Sequence, residues 1–180
     1  IWMLGSSDYG AQLAAHLSLP YAFAYFITEG QGLATALDLY RQNFRPTEQR
    51  PKAHATVCVW ALAADTEEQA WHLFKSRARW RMDRNLGRIG PVLPPDQAER
   101  DYSPAEQLAL AQLKANALVG SGPQVANKLR ALAQRMDIDE IVVITWTHDP
   151  VHQRRSYELL AKEFAWGQRA PSPELETALS

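Results

Sequence analysis

The sequence predicts an α/β protein with a parallel sheet, the size of half a (β/α)8 barrel, and three observations support this. Short apolar runs alternate with segments of helical periodicity along most of the chain. The runs are apolar at nearly every position, which is typical of strands in a parallel sheet that is buried on both faces. The 180 residues suffice for one core and about four βα units, whereas a full barrel needs about 250 residues. A small doubly wound sheet fits the same count, and the pattern alone does not separate the two folds.

The first part of the chain predicts three strands, each followed by a helix. The strands are Ile1–Leu4, Tyr21–Ile27 and Thr56–Ala64, and helical spacing follows in Ala11–Leu17, in Leu33–Tyr40 and from about Asp65 to Phe74. Prolines end the first two helices, and acidic residues in the first turn favour the start of the third. The chain opens on residues that look like the middle of a strand, so we expect them to belong to something longer.

The rest of the chain predicts helices, one more strand and a surface tail. The predicted segments are an insertion at about residues 76–118 that contains a helix over Glu106–Leu118, a helix over Pro123–Met136, a strand over Ile141–Thr145, a helix over Val151–Phe164 and a tail over residues 167–180. Ser121 or Gly122 is the expected cap of the helix that begins at Pro123. We interpret residues 1–166 as one unit.

The insertion begins with a basic run that only one acid, Asp83, opposes. Six cations share this run: Lys75, Arg77, Arg79, Arg81, Arg84 and Arg88. Such a run could grip an anionic ligand, but we interpret it as a solvated helix face followed by a connector. The insertion lies where a segment that covers a substrate pocket could sit.

Composition excludes several classes of function. The net charge of −1 gives no electrostatic reason to expect nucleic acid as a partner. The longest apolar run, Leu17–Ile27, is interrupted by a proline and is too short for a membrane span, and no cleavable leader is visible. Cys58 alone cannot form an internal disulfide, so we expect a cytoplasmic protein. His16, His54 and His72 are isolated, and no metal site is predicted.

The best chemical signal is the segment Gly5–Gly10, which follows a strand and opens a helix. Backbone N–H groups at such a junction can converge on an anion, small residues let it come close, and serine hydroxyls add donors. The same residues could simply cap the helix. A second junction carries His148 and Asp149, which could form a general base and its orienter. We favour Asp149 as an ordinary helix start and keep His148 as a weak candidate for a catalytic residue.

Several pieces of the sequence occur together in one order. They are Ile1–Ala15, Leu19–Ala24, Tyr40–Pro46, Ala63–Ala70, Val119–Pro123, Asp139–Val143 and Arg154–Ala161. Together they resemble the bacterial luciferase-like flavin-dependent oxidoreductases, over most of residues 1–166. Their co-occurrence is far more specific than any single piece.

The resemblance implies a (β/α)8 barrel that binds FMN at the C-terminal ends of its strands. Gly5, Ser6, Ser7, Asp8 and Tyr9 would hold the FMN phosphate, with the two serines as the main contacts. A flavin reductase would supply reduced FMN, and O2 would be the co-substrate in the oxidation of a small organic molecule. The predicted strands would be numbers five to eight of the barrel.

The first four βα units of that family have no counterpart in this sequence. A half barrel has open sheet edges, so we expect self-association or pairing with the missing N-terminal half. Three alternatives remain: a flavin-binding or truncated protein without catalysis, a deazaflavin-dependent hydride-transfer enzyme, and a structural half barrel that binds no flavin.

Overall fold

A computed structural model describes residues 1–138 and 140–165, so the predicted tail over residues 167–180 lies outside the described residues. The strands are β1 (Met3–Gly5), β2 (Tyr21–Ala24), β3 (Ala55–Ala64), β4 (Leu118–Ser121) and β5 (Glu140–Ile144). The helices are α1 (Asp8–His16), α2 (Tyr25–Thr28), α3 (Leu33–Asn43), α4 (Glu67–Asn85), α5 (Pro104–Ala115), α6 (Gly122–Met136) and α7 (Pro150–Glu163), with a 3₁₀ turn at Pro95–Gln97.

The four predicted strands form a parallel sheet in the order β1-β2-β3-β5. Met3 pairs with Tyr21, Tyr21 pairs with Ala55, and Thr56 pairs with Glu140. Neighbouring strands of the sheet therefore follow each other along the chain, apart from the segment that carries β4. This order is that of consecutive strands in half of a (β/α)8 barrel, which confirms the predicted fold class.

The structure adds one strand that the sequence analysis missed. The predicted helix Glu106–Leu118 ends instead at Ala115, and β4 pairs in parallel with the last four residues of β3. Only four residues form β4, and two of them are Gly120 and Ser121, so no apolar run marks it. Ser121 is both the last residue of the strand and the N-cap of α6, where its N–H donates to the Gln124 side chain at 2.8 Å.

The second strand is shorter than predicted, because the apolar run Tyr21–Ile27 changes conformation at Tyr25. From Tyr25 the chain leaves the sheet and forms α2, and it then turns through residues with left-handed backbone conformation at Glu29, Gly30 and Gly32. A Cβ on Gly30 would lie 2.4 Å from the Tyr25 ring, so this position requires glycine. Apolar character alone could not show where the strand ends.

The side chains of β3 alternate between two cores. Odd-numbered positions such as Val57 and Val59 face the first core, beneath the helices α1, α3, α6 and α7. Even-numbered positions such as Trp60 and Leu62 face the second core, which α4, α5 and β4 complete. Because α1, α3, α6 and α7 back the sheet in the manner of the outer helices of a barrel, the second core lies on the face that corresponds to the barrel interior.

The open edges of the sheet carry exposed apolar side chains. In the described part of the chain, β1 pairs only with β2, and β5 pairs only with β3. Near them, Trp2, Leu4 and Val142 are 47%, 58% and 39% exposed. Unpaired strand edges with apolar neighbours favour association with further strands.

The segment predicted as an insertion from about residue 76 starts inside a continuous helix, because α4 runs unbroken from Glu67 to Asn85. Arg100 joins α4 to the start of α5, because it contacts Asp83 of α4 at 3.4 Å and Glu106 of α5 at 2.5 Å. Arg79 pairs with Asp83 within α4 at 2.5 Å. Among the described helices, none combines the length and the apolar character needed to cross a bilayer.

Candidate functional site

The predicted binding loop is formed where β1 meets α1. The strand ends at Gly5, Ser7 is the N-cap of α1, and Asp8 is its first residue. A Cβ on either Gly5 or Gly10 would lie 3.5 Å from the Cα of the other, so the backbones on the two sides of the turn approach closely. The buried Tyr21 hydroxyl donates to the Ser7 carbonyl at 3.4 Å and helps to hold the turn in place.

The loop presents hydrogen-bond donors that the described protein does not use. Ser6 is half-buried, whereas Ser7, Asp8 and Tyr9 are exposed. Within residues 1–138 and 140–165, the N–H groups of Ser7, Asp8 and Tyr9 donate to no protein acceptor. The Ser7 hydroxyl accepts only a long contact, 3.5 Å, from the Gly10 N–H. This donor set suits the oxygens of a phosphate at the positive end of a helix.

One charge in the loop opposes an anion. The Asp8 carboxylate lies in the first turn of α1, where it stabilises the helix but repels a phosphate. Burial raises the pKa of Tyr21 to about 12, and the negative charge of Asp8 contributes to the shift. The donors of the loop therefore suit a phosphate, whereas the charge of Asp8 would oppose one.

The second junction is a helix start, as favoured from the sequence. Asp149 is the N-cap of α7. Its Oδ1 accepts a hydrogen bond from the Val151 N–H at 2.8 Å, so the carboxylate caps the helix. The Nδ1 of His148 lies 2.9 Å from the carbonyl oxygen of Val92, in the loop that follows α4. A carbonyl can only accept, so Nδ1 carries the proton and Nε2 is left for other contacts. A catalytic role for His148 stays a prediction.

The basic run is only in part the solvated face that the sequence predicts, because Arg84 and Arg88 are exposed whereas Arg77 is buried. Arg77 is 2% exposed, and its guanidinium carbon lies 4.3 Å from the Trp60 ring centroid and 4.9 Å from that of Trp146. Its Nη2 donates to the Glu29 carboxylate at 2.8 Å. Burial lowers the pKa of Arg77 to about 10, and Glu29 opposes this shift.

We call this group the arginine–tryptophan cluster: Arg77, Arg81, Glu29, Trp60, Trp80, Trp146 and Phe26. It lies beyond the C-terminal ends of β2 and β5 and beside the upper half of β3, at the sheet edge where parallel α/β folds bind ligands. The sequence signal was the spacing of Arg77, Trp80, Arg81 and Arg84, which places all four on one side of a helix.

Metal chemistry has no support in the described residues, where no three of His, Cys, Asp and Glu lie together as metal ligands. Cys58 is a half-buried free thiol on β3. Burial raises its pKa, and the negative charge of Glu140 adds to the shift. The thiol is therefore kept in its protonated and less reactive form.

Comparison with known proteins gives consistent results. The family described as luciferase-like monooxygenase matches residues 1–139. A luciferase-like monooxygenase of Escherichia coli (strain K12) is 38% identical over 160 residues, which cover 88% of this chain and 48% of that protein. The chain spans about half the length of the curated relatives it matches.

Two solved structures share the fold. The crystal structure of apo-MsnO8 is 29% identical, with a TM-score of 0.79, over 91% of this chain and 50% of that one. The second is the oxygenating constituent of 3,6-diketocamphane monooxygenase from Pseudomonas putida, a type II Baeyer–Villiger monooxygenase solved in complex with FMN. It is 21% identical, with a TM-score of 0.62, over 95% of this chain and 49% of that one.

Proposed function

Because this chain belongs to the luciferase-like monooxygenase family, we propose that it provides the flavin-phosphate site of a flavin-dependent monooxygenase that oxidises a small organic substrate with O2. The observation that carries the proposal is the set of unused N–H donors at Ser7, Asp8 and Tyr9, directly after β1. We place the protein in the cytoplasm, because its lone cysteine forms no internal disulfide.

Each residue of the loop has a defined part in holding FMN. The hydroxyls of Ser6 and Ser7 and the N–H groups of Asp8 and Tyr9 donate to the phosphate oxygens. The absence of a side chain at Gly5 lets the two sides of the turn approach each other, next to Gly10 and the Tyr21 ring. Tyr21 acts indirectly, because its hydroxyl holds the Ser7 carbonyl. The flavin, supplied in reduced form by a flavin reductase, carries the oxygen chemistry when it is bound, and the protein orients it and excludes water.

The test is a titration of the chain with FMN, followed by flavin fluorescence. We expect saturable binding that weakens roughly 10- to 100-fold in the Ser6→Ala/Ser7→Ala double variant, because each hydroxyl donates to a charged oxygen. Equal affinity in the two proteins would contradict the proposed phosphate contacts.

Two control variants make this test sharper. Ser103→Ala removes the serine cap of α5, far from the loop, and should leave the affinity for FMN unchanged. Asp8→Asn removes the opposing charge, so it should bind FMN more tightly than the wild type, by a factor of about 2 to 10. Weaker binding by the Asp8→Asn variant would mean that the carboxylate supports the site.

A second candidate function is flavin binding without turnover. The chain covers about half the length of its curated relatives, so its flavin binding and its turnover are tested separately. Oxygen consumption with reduced FMN separates the two functions. Titration with a deazaflavin in parallel tests whether the site takes that cofactor instead.

We propose that further barrel strands cover the open sheet edges, either those of a second copy or those that correspond to the other half of a (β/α)8 barrel. On its own the chain should associate at micromolar concentration, because Leu4 and Val142 expose apolar surface beside the unpaired strands β1 and β5. Analytical ultracentrifugation should show that the Leu4→Asp/Val142→Asp variant associates much less. A wild-type chain that is monomeric at all concentrations would refute self-association.

A further inference from the structure

The arginine–tryptophan cluster contains a buried cation with unused hydrogen-bonding capacity. Arg77 lies between the rings of Trp60 and Trp146, and Glu29 accepts from its Nη2. Its Nη1 is buried and donates to no acceptor within residues 1–138 and 140–165, and the indole Nε1 of Trp60 is in the same condition. Buried donors without partners are costly, so these two donors of neighbouring side chains can serve an acceptor from outside the described residues.

The charges of the cluster are also unbalanced. Arg77 and Arg81 both face Glu29, at 2.8 and 3.8 Å, and Arg81 also donates to the Ile27 carbonyl. Two cations and one carboxylate leave one positive charge in a poorly solvated place, where Arg77 is 2% and Arg81 14% exposed. Arg84, over the Trp80 ring at 5.4 Å, adds more positive charge. One further carboxylate would neutralise the group around Glu29.

The surroundings suit an organic anion better than an inorganic one. Phe26 and Trp80 are half-buried and each packs edge-to-face on the half-buried Trp146, with ring centroids 6.5 and 6.1 Å apart. Together they place aromatic surface next to the guanidinium. The Glu29 carboxylate is one-fifth exposed and lies beside the same guanidinium, so its charge opposes that of a bound anion.

We propose that Arg77 recognises the carboxylate of the organic substrate, whose flat apolar part packs on the aromatic rings of the cluster. The Nη1 of Arg77 and the Nε1 of Trp60 donate to the two carboxylate oxygens, and Glu29 competes with the ligand for the guanidinium. This inference rests on the proposed function, because it takes the cluster as the substrate side of that site. It limits the substrate class to organic acids and makes Arg77 a residue that determines specificity.

The test uses benzoate as the probe and the quenching of tryptophan fluorescence as the readout, at fixed ionic strength and without flavin. Benzamide, which has the same shape and no charge, and inorganic phosphate are the comparison ligands. We expect saturable binding of benzoate, with neither benzamide nor phosphate bound comparably. The Glu29→Gln variant should bind benzoate about tenfold more tightly, because the competing carboxylate is gone.

Variants that remove or change the Arg77 guanidinium should weaken the binding of benzoate. The Glu29→Gln/Arg77→Gln double variant removes both partners of the buried ion pair and leaves Arg81 as the remaining cation. It should lose benzoate binding, measured on protein whose thermal unfolding remains cooperative. If that variant does not fold, Arg77→Lys keeps the charge but not the planar fork, and it should weaken binding at least about tenfold. Arg79→Gln, on the same helix but paired with Asp83, is the matched control and should bind like the wild type.

The outcomes separate this inference from the proposed function. Equal response to benzoate and benzamide, unchanged binding in the Arg77 variants, or a preference for phosphate would overturn it. Because the probe is titrated without flavin, benzoate binding that needs Arg77 supports the inference even if FMN does not bind. FMN binding that depends on Ser6 and Ser7, with no benzoate binding, keeps the proposed function and rejects this substrate class.

Discussion

The Phe74→Ala variant is expected to lose about 3 to 5 kcal/mol of unfolding free energy, because a large ring is removed from a core that cannot close around the cavity. Phe74 is 2% exposed, and its ring centroid lies 5.9 Å from that of Trp60 and 5.4 Å from that of Trp71. For a chain of this length, the loss corresponds to a fall in melting temperature of roughly 10 °C. Urea unfolding followed by circular dichroism measures it.

The matched control removes an exposed apolar side chain from α5, one of the helices that form the second core, without opening a cavity. Leu108 on α5 is 72% exposed, and Leu108→Ala should change the unfolding free energy by less than about 0.5 kcal/mol. If the two variants lost similar amounts of stability, the packing of α4 against the even-numbered face of β3 would not be the source of the stability of the second core.

Alkaline pH is expected to destabilise the protein through Tyr21. The ordinary pKa of its phenol, 10.0, is raised to about 12 in the folded state, mainly by burial, so the folded protein holds the proton more firmly than the unfolded chain does. This contribution to stability is complete below pH 10 and is lost as the pH rises towards 12. A difference of two pKa units corresponds to about 2 to 3 kcal/mol.

Urea unfolding of the wild type and of Tyr21→Phe at a series of pH values tests this expectation. The stability of the variant should depend less steeply on pH between 10 and 12, because phenylalanine has no proton to lose. Tyr9→Phe removes a hydroxyl from an exposed ring and serves as the control for general alkaline effects. Parallel curves for the wild type and Tyr21→Phe would show that Tyr21 does not cause the loss.

The main sheet could be predicted from the sequence because each of its strands lies in an apolar run, although the end of β2 falls inside its run. Thr56–Ala64 is an example, which the structure shows as Ala55–Ala64. The loop at Gly5–Gly10 could also be predicted, because small and polar residues between a strand and a helix are a signal of a helix start that lies within the local sequence. Its role in binding phosphate remains a proposal, because a helix cap has the same sequence signature.

The missed features depend on contacts that are distant in the sequence. β4 forms by pairing with Ala61–Ala64, which lie far away in the sequence, and no pattern within Leu118–Ser121 predicts a strand. Likewise, the burial of Arg77 could not be predicted locally. The Trp60 and Trp146 rings that cover its guanidinium lie 17 and 69 residues away in the sequence. A charged residue is usually exposed, so local reasoning assigns it to the surface by default.

The two-sided strand β3 has a consequence for how such a protein can evolve. Its odd-numbered side chains belong to the helix-backed core, whereas its even-numbered side chains belong to the lobe of α4, α5 and β4 that lies beside the ligand end of the sheet. Apart from Leu118 of β4, which packs in the helix-backed core, substitutions in the lobe reach that core chiefly through the shared backbone of β3. Substitutions in α4 and α5 are therefore expected to disturb the scaffold that holds the loop at Gly5 less than substitutions in β3 do.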